Sequence, residues 1–267
     1  MSVQLSLIQP QVQANNHSAA EVLEQVEIIV NWSCRVGSPM GYYAQWLGRL
    51  IEHIDAERSW DRFAYPDAIH QLNLRLANRY FDALNLFHEG EGEAPLCWQA
   101  AFMATHQTEL TVFQHLVMGT NALVQHDLPL ALSTLLVGQP DTYLRQDLVT
   151  LLDLIETNLR HTQQRFAQQS RVFRMMDAFG RSHNHWFEIM DLPGRPEPTY
   201  QMAQQLAAQR GKPYQDMAQV VDQGATEASR VIIASAHRVL RRWFAQVSRW
   251  ENQPVADIMA WLKMSEQ

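Results

Sequence analysis

Residues 113–132, FQHLVMGTNALVQHDLPLAL, have the pattern of one long buried helix. Apolar residues dominate this stretch, but polar side chains interrupt it at several positions. Polar groups inside an apolar helix need hydrogen-bond partners, so they mark either a hydrogen-bond network or a functional site. Pro129 favours a break or kink at the end of the helix. The polar positions are Gln114, His115, Asn121, Gln125, His126 and Asp127.

Helical patterns extend outward from this stretch in both directions. Residues 18–21, SAAE, form a capping box, and an apolar stripe behind it predicts a helix to about Ser33. Prolines suit the first turns of later helices. Further helices are predicted from Pro39, from Tyr65-Pro66-Asp67 and from Pro95, and over 142–190, 214–250 and 256–262.

The chain therefore has the pattern of an all-α protein, a bundle of about seven to nine helices. No alternating strand pattern and no repeat of fixed period occurs in it. Residues 1–17 are rich in Gln and Asn and are predicted to be a disordered tail. Residues 18–267 are predicted to form a single helical domain, with residues 193–198, PGRPEP, as its clearest linker.

Composition limits the classes of function. The 267 residues are 46% hydrophobic and only 18% charged, which favours a large buried interior or a homo-oligomer interface. A formal net charge of -7 argues against a nucleic-acid partner, because neutralising phosphates needs a basic face. Cys34 and Cys97 provide no disulfide framework, so a cytoplasmic location is expected. Neither a signal peptide nor a membrane-spanning stretch is predicted.

The histidines and the aspartate of residues 113–132 are the first candidates for chemistry. His115 and His126 share a helix face, but they lie about 16 Å apart, so one metal ion cannot bind both. His115 is either a buried histidine with a hydrogen-bond acceptor or part of a site. Asp127 is either a general base or metal ligand, or a cap for the segment after Pro129. Asn121 is expected to cross-link two helices.

A second polar cluster occupies residues 181–188, RSHNHWFE. His185 and Glu188 lie three residues apart and share a helix face, as a carboxylate–histidine metal pair would. Two-metal helical bundles need a second copy of such a pair, and the sequence has none. His161 and Arg165 form another pair on one helix face, which we expect to be solvated or paired with an acidic neighbour.

Three stretches carry a family resemblance: RYFDAL at 79–84, PLCWQAAF at 95–102 and QHLVMGTNALVQHDLP at 114–129. Together they resemble a family of uncharacterised helical proteins catalogued as a domain of unknown function. The resemblance covers residues 65–135, and it implies a helical fold without an established activity. The family pattern for the third stretch is Q-x4-G-x-N-A-H-x3-D-L-P, which is matched here by Gln114, Gly119, Asn121, Ala122, Asp127, Leu128 and Pro129.

The His-x3-Asp part of that pattern resembles the metal-binding helix of zinc-dependent phospholipase C and related nucleases, where both residues can face one ion. Leu123 occupies the histidine position in this chain. His126 projects about 100° away from Asp127 and cannot simply replace the missing ligand. The resemblance therefore predicts no tightly bound stoichiometric zinc and no metal-ligating residues. The sequence does not identify a cofactor.

Three functions remain open at this point. The first is the binding, with or without chemical transformation, of a small, largely apolar molecule in a pocket between the 113–127 helix and its neighbours. The second is a metal-dependent hydrolase of the zinc phospholipase C-like type, and the third is a non-catalytic helical interaction module. The catalytic candidates are Asp127, His126 and His115, and the ligand-binding candidates are Asn121, Gln114, His185 and Glu188.

Overall fold

All regular secondary structure in the described part of the chain is helical. The computed structural model describes residues 10–58, 62–90, 94–137, 142–169, 195–234 and 253–263. These residues form nine helical rods, since α5, a π-helix and α6 run on from one another, which confirms the predicted fold class. The elements are α1 (Ala19–Val36), α2 (Met40–Arg58), α3 (Pro66–Glu89), α4 (Leu96–Ala104), α5 (Val112–Asn121), the π-helix (Ala122–Asp127), α6 (Leu128–Leu135), α7 (Thr142–Gln169), α8 (Pro196–Ala207), α9 (Lys212–Ala234) and α10 (Val255–Lys263).

Local capping signals set several helix boundaries. The Ser18 hydroxyl accepts a hydrogen bond from the backbone N–H of Glu21, so α1 begins where the sequence predicts. Gly37 ends α1 and Gly90 ends α3, both in the left-handed conformation that glycine adopts without steric cost. Pro66 lies in the first turn of α3, where its missing N–H leaves no hydrogen bond unmade.

Of the break or kink predicted at Pro129, the break is wrong. Helical hydrogen bonding continues from α5 through the π-helix into α6, and Pro129 lies in the first turn of α6. The irregularity precedes the proline, where the backbone N–H of Leu128 donates to the carbonyl of Leu123, five residues back. Single π-helical turns within α-helices occur frequently at functional sites. This turn carries His126 and Asp127.

The linker predicted at residues 193–198 is also corrected in part. Pro196 and Pro198 lie in the first turn of α8, while residues 193 and 194 lie outside the described residues. The predicted helices over 142–190 and 214–250 are present as α7 and α9, and their predicted C-terminal parts lie outside the described residues. The predicted short helix over 256–262 is confirmed as α10.

The continuous segment formed by α5 and the π-helix lies at the centre of the packing, in contact with α2, α4 and α9. Buried aromatic rings from α2, α3 and α4 pack together in this part of the core. The centroid of the Tyr80 ring lies 5.3 Å from that of Tyr43 and 5.2 Å from that of Trp98. These large side chains contribute much of the buried apolar area of the core. None of the described helices is long and apolar enough to cross a membrane.

Residues 10–17 lie against α3 in the structure. The Asn85 side chain accepts from the N–H of Val12 and donates to its carbonyl. Asn78 makes the same reciprocal pair of bonds with the backbone of Asn16. Residues 1–17 were predicted to be a disordered tail. Within the described part of that segment, residues 10–17, the backbone is hydrogen-bonded to α3 at Val12 and at Asn16.

Candidate functional site

A buried carboxylate, Asp127, joins three helical elements. Its side chain is 1% exposed. Oδ1 accepts from Nε of Arg79 on α3 at 2.9 Å and from Nδ1 of His126 beside it, also at 2.9 Å. Oδ2 accepts from Nε1 of Trp98 on α4 at 2.8 Å. One carboxylate thereby holds α3, α4 and the π-helix in register.

These donors keep Asp127 ionised. Burial alone would raise the pKa of the carboxyl, because it disfavours the charged form. The Arg79 guanidinium, His126 and the Trp98 N–H together outweigh burial and hold the pKa of Asp127 below its ordinary value. The ion pair with Arg79 is therefore present throughout the neutral pH range.

Asp127 does not cap α6, so that sequence-based alternative is wrong. Its side chain makes no hydrogen bond to the backbone N–H groups at the start of α6. The reason is that the preceding turn is π-helical and Asp127 itself has helical dihedral angles, whereas a capping residue is ordinarily extended. The carboxylate points instead toward Arg79 and Trp98.

The contact with Asp127 fixes the orientation of the His126 ring. An ionised carboxylate only accepts hydrogen bonds, so Nδ1 of His126 carries the proton in this pair. In the neutral imidazole, Nε2 is then left as the nitrogen with a lone pair. The residue is only 4% exposed, so this lone pair points into the protein interior.

Two further potential metal ligands, Cys97 and Asp222, lie beside His126. One ligand atom each from Cys97, His126 and Asp222 lies within 4.8 Å of the other two. We call these residues the Cys–His–Asp cluster. Its members come from α4, the π-helix and α9, and Cys97 is fully buried.

Asp222 also fixes the N-terminus of α4. Its Oδ2 accepts from the backbone N–H of Leu96 at 2.7 Å, and its Oδ1 accepts from that of Cys97 at 2.9 Å. A carboxylate is favourable there because it satisfies unpaired N–H groups and the positive end of the helix dipole. The cysteine and the aspartate of the cluster are therefore held together by the backbone as well as by packing.

The electrostatic environment of Cys97 keeps its thiol protonated. Burial raises the pKa of the thiol far above its ordinary value, and the carboxylates of Asp127 and Asp222 raise it further. Both effects disfavour a second negative charge at this place. A divalent cation would reverse them, because its charge stabilises the thiolate.

His115 lies apart from the cluster on the same rod. It is 6% exposed and packs beside Tyr42, with ring centroids 6.0 Å apart. Burial lowers its pKa to about 4, so the imidazole is neutral at pH 7. Its Nδ1 has no hydrogen-bond partner among the described residues. The structure therefore does not bring His115 together with the other catalytic candidates.

The two described ligand-binding candidates, Asn121 and Gln114, both donate hydrogen bonds to α9. Nδ2 of Asn121 donates to the Ala225 carbonyl at 2.7 Å and to the Ser229 hydroxyl at 3.0 Å, which confirms the predicted cross-link between helices. Gln114 completes a capping box at the start of α5, and its Nε2 donates to the Ile232 carbonyl at 3.3 Å. His185 and Glu188 lie outside the described residues.

Sequence reasoning missed Cys97 and Asp222 as members of the cluster, and it missed Arg79 and Trp98 as partners of Asp127. Arg79 and Trp98 appeared only within the family-like stretches, Cys97 was otherwise considered only for disulfide bonding, and Asp222 was not singled out at all. The available signal was the PLCW sequence at 95–98, where a cysteine and a tryptophan follow a helix-opening proline. Asp222 gave no such signal, because a single aspartate in an amphipathic helix is ordinary.

The fold and this centre define a class: an all-helical protein with a buried polar network at a π-helical turn. The sequence profile of the Family of unknown function (DUF5995) matches residues 19–235. The chain belongs to that family. The stretches at 79–84, 95–102 and 114–129 lie within the matched range. Comparisons with curated proteins and with solved structures found no significant match.

Proposed function

We propose that the Cys–His–Asp cluster binds one divalent transition-metal ion, and that zinc fits it best. The observation that carries the proposal is the separation of the three ligand atoms, which lie within 4.8 Å of one another. Zinc prefers thiolate, imidazole and carboxylate ligands, which stand about 3.5 Å apart around a tetrahedral ion. A contraction of roughly 1 Å would close the site around the metal.

Asp127 suits the role of a positioning residue for this metal. Metal-bound histidines usually donate their second ring N–H to a carboxylate, which fixes the tautomer and makes the ligand more basic. His126 donates from Nδ1 to Asp127 at 2.9 Å, so Nε2 is available to the metal. Arg79 and Trp98 hold the carboxylate in place through the bonds described above.

Charge balance also supports the proposal. Buried charges are stable only when they are paired or bound to a metal. A zinc ion would offset the Cys97 thiolate and the Asp222 carboxylate, while the Arg79 guanidinium offsets Asp127. The filled centre would therefore carry no net charge.

A site of this kind favours hydrolytic chemistry. Three protein ligands leave the fourth position of a tetrahedral zinc ion for water or substrate. Zinc lowers the pKa of a bound water to about 7, which makes it a nucleophile at neutral pH. The metal-dependent hydrolase is thus the best supported of the three functions, although its ligands differ from those of the zinc phospholipase C pattern, where position 123 would be histidine.

This proposal departs from the sequence-based prediction that the chain has no stoichiometric zinc. That prediction considered ligand spacing along single helices, whereas Cys97 and Asp222 are 125 residues apart and meet only in the folded chain. The apolar-ligand function has less support, because Asn121 and Gln114 bond to α9. If the protein is instead a non-catalytic interaction module, Asp222 serves only to cap the N-terminus of α4, and the Cys–His–Asp cluster binds no metal.

Zinc content after saturation and exhaustive dialysis tests the proposal. We expect about one zinc ion per chain in the unaltered protein. Cys97→Ser should lose it, because a serine hydroxyl is a poor zinc ligand. Cys34→Ser is the matched control, since Cys34 lies on α1 and outside the cluster. A zinc-free unaltered protein, or equal zinc in the Cys97→Ser variant, would overturn the proposal.

A further inference from the structure

Helix α9 lies against the Cys–His–Asp cluster and contributes one of its ligands. It contacts α4, the π-helix and α5. Cys97 is fully buried and His126 is 4% exposed, so an ion in solution cannot reach either of them in this docked arrangement. A metal site needs an entry path. Because Asp222 lies on α9, displacement of α9 would open the cluster on that side.

Few large apolar side chains hold α9 against the core. Those described as buried are Val221, Ala225 and Ile232, and a threonine and a serine are buried between them. The shorter helix α2, with 19 residues, buries two tyrosines, a tryptophan, two leucines and two isoleucines. The free energy of apolar burial follows the buried area, so its contribution is small for the 23 residues of α9.

The opposite face of α9 is exposed to solvent. Val220 is 62% exposed and Val231 is 48% exposed, and nothing lies within 4 Å of a Cβ atom placed at Gly224. Residues 208–211 connect α8 to α9, and Gly211 adopts a positive φ of 61° at the start of the helix. Glycine tolerates large changes in its dihedral angles, which suits this connection to act as a hinge.

Hydrogen bonds make most of the specific contacts between α9 and the layer beneath it. Asn121, which is 0% exposed, donates to the Ala225 carbonyl at 2.7 Å and to the Ser229 hydroxyl at 3.0 Å. Ala225 follows Asp222 by three residues, so this contact lies one helical turn from the cluster. Water can replace such bonds when two surfaces separate, which keeps the net cost of separation low.

We propose that Asn121 is a positioning residue that docks α9 on the cluster, and that α9 opens as a unit while the rest of the chain stays folded. Weakly packed elements open locally in this way. The docked helix brings Asp222 to Cys97 and His126, and the open state admits an ion or a small substrate to them. The opening itself needs no metal, whereas its role as the entry path rests on the proposed function.

The rate at which iodoacetamide alkylates Cys97 tests the proposal. Mass spectrometry measures it on the full, folded chain after dialysis against a chelator, in a Cys34→Ser background that leaves one thiol. Asn121→Ala should raise the rate about tenfold or more, since it removes both bonds to α9. Ser229→Ala should raise it by a smaller factor. Asn73→Ala is the matched control, because Asn73 is also buried but joins α3 to the Ile51 carbonyl on α2, and it should leave the rate unchanged.

The urea dependence of the alkylation rate separates local opening from global unfolding. Opening of one helix exposes little surface, so the logarithm of the rate should rise with urea much less steeply than global unfolding does. Alkylation of the unaltered chain that occurs only with global unfolding would overturn the proposal. Equal acceleration in Asn121→Ala and Asn73→Ala would do so as well. All rates are measured without metal, so a failure of zinc binding would contradict the proposed function and leave these results unchanged.

Discussion

Arg79 donates from Nε to Oδ1 of Asp127 across 2.9 Å, and this bond joins α3 to the π-helix. The two partners differ in their environment, since the Arg79 side chain is 35% exposed and that of Asp127 only 1%. Water can therefore solvate the arginine but not the aspartate. Loss of the guanidinium would leave a buried carboxylate without its strongest counter-charge.

Replacement of Arg79 by methionine should lower the free energy of unfolding by about 3 kcal/mol, because breaking one side of a buried ion pair leaves the other charge uncompensated. Urea unfolding of the single variants and the double variant measures the effect. The double variant Arg79→Met/Asp127→Asn should lose less stability than the sum of the losses in the two single variants, since it contains no unpaired buried charge. A cost below about 0.5 kcal/mol for Arg79→Met would contradict a buried ion pair.

The buried His115 predicts an acid-dependent loss of stability. Its pKa is about 4 in the folded chain, against roughly 6.5 in an unfolded chain. Between these values the unfolded state binds more protons, so stability is complete above about pH 6.5 and falls as the pH falls toward 4. The contribution of His115 to this loss is at most about 3 kcal/mol.

His115→Phe should flatten the pH dependence of unfolding between about pH 6.5 and 4.5, because the phenyl ring fills the space and does not titrate. Urea unfolding at a series of pH values provides the measurement. His106→Gln, at an exposed histidine, is the control and should leave the slope unchanged. An unaltered slope in His115→Phe would mean that the imidazole can be protonated in the folded chain.

The approach of α2 to α5 depends on Gly119. A Cβ atom at this position would overlap the Tyr43 ring, which is buried and cannot swing away. Gly119→Ala should therefore lower the free energy of unfolding by about 2 kcal/mol despite the better helix propensity of alanine. Gly224→Ala on α9 is the matched control: nothing lies near its Cβ position, so it should stabilise the chain by up to about 1 kcal/mol. A stabilising Gly119→Ala would refute the close contact.

The helical fold was predictable because its signals are local. Ser18 caps α1 through a bond to a residue three positions away, and Gly90 ends α3 through its own backbone conformation. The π-helical turn was not predictable, because the apolar residues around it are buried on all sides and leave no periodicity to show a change of helix type. Pro129 was therefore interpreted as the site of a break or kink.

The candidate site was predictable only where polar residues interrupt an apolar helix. Asp127 and His126 met that condition, and both lie at the centre of the observed network. Their partners come from distant helices: Arg79 is 48 residues from Asp127, and Asp222 is 125 residues from Cys97. Such pairings depend on how the helices pack, and a pattern along a single helix does not contain that information.

Metal binding by the Cys–His–Asp cluster is tested most directly by absorption spectroscopy during titration with Co²⁺, which binds zinc sites in the same geometry and absorbs light. The unaltered chain should develop a thiolate-to-cobalt charge-transfer band in the near ultraviolet that saturates at one equivalent, and Cys34→Ser should behave identically. Cys97→Ser should lack the band, since Cys97 is the thiolate ligand. Absence of the band in the unaltered chain, or its persistence in Cys97→Ser, would contradict a metal ion held by Cys97, His126 and Asp222.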